Sequence, residues 1–218
     1  MQERPDADPH FHFGALVSRI SHRWRSIVLV TANAWMWIRC NPYSKASVER
    51  AAEYLSRSKA MPVDIHIARL VAPIDLGLFQ DSVLNMERCH WLCIESRDNR
   101  SLDSVLEYTS HQMAPLLRSL TLSCRGFELS FTGALFPFGA PQLKIVQLAC
   151  LGPNTADFCL PAFQSVTHME LKYPDPADED ESDALGRFLA ALKSLHHLEL
   201  TFEERLPLPQ QPIVLLSL

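Results

Sequence analysis

Histidine, cysteine and acidic side chains are the residues of this chain that could do chemistry, and they stand in a few short clusters. Cys89-His90 with Cys93 offers thiolate and imidazole donors, the raw material of a zinc site. Structural zinc takes four convergent ligands, and no second Cys/His pair accompanies these three. On a strand, 89 and 93 would share one face and His90 would take the other, so no metal site is expected. The run Asp175–Asp183, DPADEDESD, supplies carboxylates for calcium. It lacks the Asp-x-Asp-x-Asp-Gly order and the closing Glu of an EF-hand, and reads as a solvated loop before a helix. His196-His197 would point to opposite faces of a strand. His10-Phe11-His12 falls in an N-terminal stretch, residues 1–13, expected to be disordered.

No Gly-x-Ser-x-Gly, Walker loop, His-Glu-x-x-His or Gly-rich dinucleotide turn occurs. Seven glycines in 218 residues leave little material for phosphate-cradling loops. The chain is therefore not expected to be an enzyme, and no cofactor is expected. Net charge is −5 with both signs dispersed, so no basic field points to nucleic acid. No apolar run approaches the roughly eighteen residues of a membrane span, and the acidic start is not a signal peptide. No membrane partner is expected, and the compartment expected is cytoplasm or nucleus. The six cysteines (40, 89, 93, 124, 150 and 159) then read as buried thiols.

The elements that must position any site are set by a repeat. Segments of the form apolar-x-x-apolar-x-apolar recur as Trp35-Ile38-Cys40, Ile65-Ile67 (without the leading residue), Cys89-Leu92-Ile94, Leu117-Leu120-Leu122, Leu143-Val146-Leu148, Val166-Met169-Leu171 and Leu195-Leu198-Leu200. Their centres at 38, 65, 92, 120, 146, 169 and 198 are separated by 27, 27, 28, 26, 23 and 29 positions. Such a period is the mark of leucine-rich repeats, each a short strand plus a return segment. Residues two apart on a strand share a face, so the last two apolar positions point inward together. The residue between them faces out, giving His66, Cys93, Thr121, Gln147, Glu170 and Glu199 as candidates for the concave, target-facing surface. The fold class predicted is α/β: a solenoid of irregular 23–29-residue repeats over 35–205, with parallel strands on one face and helices or loops on the other.

Helical return segments are predicted at Ala46–Ser58 with Ser44 or Ser47 as cap, at Asp75–Met86, at Ser101–Met113 and at Asp183–Lys193. Gly126–Gly139 and Pro153–Leu160 hold Gly, Pro and aromatics without helical period and read as loops or single turns. The Ala-Pro pairs at 114–115 and 140–141 mark helix or loop ends before their strands.

Ahead of the repeats, Val17–Ile38 reads as an amphipathic helix, a turn and a Trp-led strand, WMWIRC. Leu16, Ile20, Trp24 and Ile27 recur at helical spacing, while Arg19, Arg23 and Arg25 fall off that stripe. Trp24 reads as a core residue and the arginines as solvated. This stretch resembles the end of an F-box, a Val-Cys-Arg-Arg-Trp-Arg-like helix followed in many fungal F-box proteins by a Thr-Pro-x-Leu-Trp turn. Val17, Arg23, Trp24 and Arg25 match the helix, with Ser21 and His22 where Cys and Arg are usual. Thr31 and Trp35 match the turn, with Ala32 in place of Pro. The Leu-Pro-x-Glu-like helix that opens an F-box has no counterpart in the first fifteen residues, so 14–34 corresponds to a partial F-box.

In many mushroom-type fungi an F-box runs directly into degenerate leucine-rich repeats. The repeat Asn or Cys of that family falls eight positions after the first Leu, where Arg125 and Leu151 stand here; Cys124 and Cys150 come one position early. Both ends of the chain read as cut, the F-box beginning halfway and 206–218 closing on IVLLSL without a cap. The resemblance implies a substrate-recruiting subunit of a Skp–cullin–RING ubiquitin ligase. Leu16, Val17, Ile20 and Trp24 would contact the Skp-family adaptor and the outward strand residues a protein substrate. The alternative is a leucine-rich interaction or scaffold protein, or a fragment of one, that engages no ligase.

Overall fold

The computed structural model describes residues 12–70, 86–124, 133–149, 159–174 and 179–203. Among these, seven strands form a single sheet in sequence order, every neighbouring pair parallel. They are β1 (Trp37–Cys40), β2 (Val63–Leu70), β3 (Cys89–Ser96), β4 (Ser119–Cys124), β5 (Ile145–Ala149), β6 (His168–Pro174) and β7 (His197–Glu203). The protein is thus α/β with an all-parallel sheet. Parallel neighbours need a crossover of a dozen or more residues, which the spacing between successive apolar segments supplies.

Register follows the sequence pattern residue by residue. Ile38 pairs with Ile65, Ile65 with Leu92, Leu92 with Leu120, Leu120 with Val146, Val146 with Met169 and Met169 with Leu198. All seven are buried. The second apolar row, from Cys40 through Ile67, Ile94, Leu122 and Leu148 to Leu171, is buried beside it. A third layer comes from the leading residues Trp35, Cys89, Leu117, Leu143, Val166 and Leu195, buried just before or at the start of their strands. Burying one such side chain stabilises by about 1.5–3 kcal/mol, so these rows form the dominant favourable contribution.

Helices and turns cover the inner face. α1 (Phe13–Val17) and α2 (His22–Val30) precede a 3₁₀ turn, Ala32–Trp35, that leads into β1. α3 (Lys45–Arg57) starts at Ser44, whose Oγ accepts from the Ser47 amide, and packs on β1 through Ala51 and Tyr54. α4 (Asn99–Ser110) is capped by Asp98, whose carboxylate accepts from both the Ser101 amide and its hydroxyl; α4 buries Leu102, Val105 and Leu106. The return to β6 is a single helical turn, α5 (Leu160–Phe163), and the return to β7 is α6 (Glu179–Ala191). Phe163 and Phe188 meet edge to face between them. The acidic run therefore passes into helix four residues earlier than its apolar period indicates, at Glu179. Residues 75–85 of the helix expected at 75–86, residues 126–132 of the loop expected at 126–139, residues 153–158 of the loop expected at 153–160, and the positions of Cys150, Leu151 and Arg125 lie outside the described residues. So do 1–11 and 204–218.

Three local readings need correction. The helix expected to run through residues 17–30 is broken: Ser18 Oγ donates to the Ala15 carbonyl, closing α1. Ser21, in extended conformation, caps a new helix by accepting from the Trp24 amide. The expected strand Trp35–Cys40 begins at Trp37, because Trp35 closes the 3₁₀ turn. On β3 the register slips, Val63 pairing with Cys89 but Asp64 with Trp91. The extra residue, His90, inverts the alternation. Cys89 consequently joins the core, while Cys93 stays in the outward row and the two do not share a face.

Truncating a central member of the inner row tests this account. Leu120→Ala should lower stability to urea by about 2–5 kcal/mol, whereas Ile145→Thr, at an exposed position of the adjacent strand, should stay within about 0.5 kcal/mol. Equal losses would place Leu120 outside the core.

Candidate functional site

Two surfaces stand out once the sheet is in register. The first is its outward face. Arg39, His66, Cys93, Thr121, Gln147, Glu170 and Glu199 are successive register partners, so the six residues expected on this surface form one continuous row. Hydrogen bonds run along it: Thr121 Oγ1 donates to Gln147 Oε1 at 3.0 Å, and Gln147 Nε2 donates to Glu170 Oε2 at 2.7 Å. Lys172 Nζ holds the other Glu170 oxygen at 3.1 Å. Thr121, Gln147 and Glu170 stay partly exposed and Glu199 at the end is exposed, whereas Cys93 is buried within the row.

A flanking row was not named from the sequence: Trp37, Asp64, Trp91, Ser119, Ile145, His168 and His197. The same parity rule gives it, since each member lies two positions ahead of the first row. It brings two partly exposed tryptophans to the β1–β3 end and the pair His168–His197, its rings tilted with centroids 5.7 Å apart, to the β6–β7 end. Of His196-His197, only His197 belongs to this row. Asp64 Oδ1 lies 3.1 Å from His90 Nδ1, a contact between neighbouring strands.

At the β2–β3 boundary the outward residues converge. The donor atoms of His66, Cys93 and Glu95 all lie within 4.8 Å of one another. His66 Nε2 is 3.1 Å from Glu95 Oε1 but out of line for a hydrogen bond, and the edge of the Trp91 ring system packs against the imidazole. Burial holds His66 below the ordinary imidazole value; Glu95 opposes this and Arg39 adds to it. Burial, with Glu95 beside it, pushes the Cys93 thiol up to about 12, against a smaller opposing effect of Arg39. Cys40 and Cys159 are raised to about 12 by burial, and Cys89 further still by burial and Asp64. These thiols are neutral at physiological pH and poor nucleophiles. The sequence cluster Cys89-His90-Cys93 does not assemble; the juxtaposition spans two strands and is legible only from a 27-residue offset, 66 to 93.

The second surface is N-terminal. Gly14 is the buried residue of α1 and Val28 that of α2. A Cβ at Gly14 would stand 2.8 Å from the Ala34 carbonyl oxygen, so glycine is what lets α1 seat against the turn. Trp35 anchors the assembly. Its Nε1–H donates to the Val28 carbonyl at 2.8 Å, its ring stacks with His12 and meets Tyr54 at a tilt, and the Arg57 guanidinium lies 4.5 Å above it. His12, expected to be disordered, is packed here and hydrogen-bonds the Trp37 carbonyl. The stripe named from the sequence faces away from this core. Leu16, Ile20, Trp24 and Ile27 are 41%, 67%, 50% and 46% exposed. Trp24 is therefore a surface residue and not a core residue, because the break at Ser18–Ser21 turns α2 to seat Val28 instead. Val17 is partly buried against the core.

Comparison with family models, curated proteins and solved structures returns no match.

The lowered histidines fix the sign of a pH effect. A histidine whose folded value lies below its unfolded value binds its proton more readily in the unfolded chain. Its stabilising contribution is complete above the unfolded value of about 6.5 and is lost as pH falls from there towards the folded value. His12 and His66 both act in this direction. The urea midpoint should drop between pH 7 and pH 5, and drop less in His66→Gln. An undiminished drop in the variant would remove His66 from the effect.

Proposed function

We propose that this chain is a substrate-recruiting, F-box-type subunit of a Skp–cullin–RING ubiquitin ligase: a partial F-box helical segment ahead of a leucine-rich-repeat-like solenoid. The observation that carries the reading is the exposed apolar stripe Leu16, Ile20, Trp24 and Ile27, seated through Trp35 on the first strand of a parallel sheet whose outward face is polar. A contiguous apolar patch on a small protein is a binding surface far more often than a neutral one. Exposed apolar side chains of this kind, here Leu16 on α1, Ile20 in the turn and Trp24 and Ile27 on α2, suit a groove or partner helices. In this reading the stripe, with Val17 beside it, docks on the Skp-family adaptor. The outward row His66, Cys93, Thr121, Gln147, Glu170 and Glu199 receives the target protein, with Trp37 and Trp91 as aromatic anchors.

The seven strands in sequence order, with register partners 23–29 residues apart, support the solenoid half of the proposal. The protein makes no bond itself; holding adaptor and target on one frame raises the target's effective concentration at the ligase. A second reading, an interaction or scaffold protein with no ligase, draws support from the break after α1, which interrupts the helix that the F-box resemblance treats as continuous.

Binding to a purified Skp adaptor separates the two. The chain, extended by any coding sequence upstream of Met1, should bind it, and Ile20→Glu with Trp24→Ala should weaken binding at least tenfold without changing the circular dichroism spectrum. Gln147→Ala should leave adaptor binding unchanged. Failure of both the chain and its extended form to bind overturns the ligase reading in favour of the scaffold.

A further inference from the structure

We propose that His66, Cys93 and Glu95 form a site for a divalent transition-metal ion of the zinc class, bridging β2 and β3 on the outward face. His66 and Cys93 are register partners on adjacent parallel strands, and Glu95 follows two residues on, on the same side of β3. The backbone thus presents three donors to one point without any loop having to fold over them. Their donor atoms already lie within 4.8 Å of one another, and His66 Nε2 is 3.1 Å from Glu95 Oε1. Bond lengths of 2.0–2.3 Å in a tetrahedral zinc site put donors about 3.3–3.8 Å apart. A separation at the 4.8 Å limit would have to contract by about 1–1.5 Å, and the half-exposed Glu95 side chain can rotate to follow.

The state of His66 is the second observation. Its side chain is only 12% exposed, its Nε2 is buried, and the nearest acceptor is out of line for a hydrogen bond. A buried polar atom with no well-aligned hydrogen bond is costly, and a metal ion shared by His66 and Glu95 would satisfy it. Trp91 packs edge-on against the imidazole and holds the ring in place. The donor set selects the ion. Imidazole with thiolate suits zinc or cobalt, whereas calcium and magnesium require an all-oxygen shell. The Arg39 guanidinium stands next to His66 in the row. Cys93 thiolate and Glu95 carboxylate together neutralise a divalent ion, so Arg39 faces no net positive charge when the site is filled. Three protein ligands leave a fourth position for water or for a donor from a docked partner.

Cobalt(II) titration of the full, tag-free chain tests the site, because a thiolate ligand produces a charge-transfer band and four-coordinate cobalt produces intense visible absorption. We expect both in the wild type, displaced by Zn²⁺ and unaffected by excess Mg²⁺. Cys93→Ser should abolish the charge-transfer band. Glu95→Gln, at a half-exposed position that folding tolerates, should weaken affinity by more than about a hundredfold, beyond the effect of losing an outer partner. The proposal is overturned if the folded wild type gives no thiolate band, or if the band survives Cys93→Ser and vanishes in Cys89→Ser.

Discussion

The structure depends on one constraint, the register of parallel pairing that carries Ile38, Ile65, Leu92, Leu120, Val146, Met169 and Leu198 into a single buried row. Because side chains alternate strictly along a strand, a one-residue slip would send an entire inner row to solvent. Each buried member contributes about 1.5–3 kcal/mol, whereas a polar contact such as Thr121–Gln147 contributes about 1 kcal/mol net. Apolar burial therefore sets the register, and the outward polar chain is arranged by it. Variation from 23 to 29 residues between centres is absorbed in the crossovers, which form a three-turn helix in α4 and a single turn in α5.

Trp35 joins the sheet to what precedes it. Its indole donates to Val28, stacks with His12, packs against Tyr54 and lies beneath Arg57, drawing α1, α2 and α3 together at the β1 end. Once Gly14, Val28 and Trp35 are satisfied, Leu16, Ile20, Trp24 and Ile27 have nothing left within the described chain to bury them. The core of the N-terminal segment and its exposed stripe are thus two sides of one packing solution.

How far the sequence reveals this depends on the range of the interaction concerned. Apolar spacing at period two within strands and near 27 between them located every strand centre among the described residues and six of the seven members of the outward row, all but Arg39, because both are consequences of local alternation. The caps Ser44 and Asp98 act over three residues, and Ser44 was legible for the same reason. What escaped was set by competition between alternatives of similar local merit. Helical spacing through 16–27 looks continuous, yet Ser18 and Ser21 hydroxyls compete for backbone groups and break it. Either Trp24 or Trp35 could fill a helical core, and the Val28 carbonyl selects Trp35. The extra residue at His90 inverts which of Cys89 and Cys93 faces in, and no composition rule signals it. The meeting of His66 with Glu95 needs both register and side-chain reach, which a single strand does not encode.

The central claim is the register of the outward row, and interstrand nuclear Overhauser contacts in the isotope-labelled chain test it most directly. The parallel pattern of Hα-to-amide contacts should link Cys93 with the backbone around Thr121, Thr121 with that around Gln147, and Gln147 with that around Glu170. Contacts offset by one residue, or the close Hα–Hα contacts of antiparallel pairing, would contradict the account.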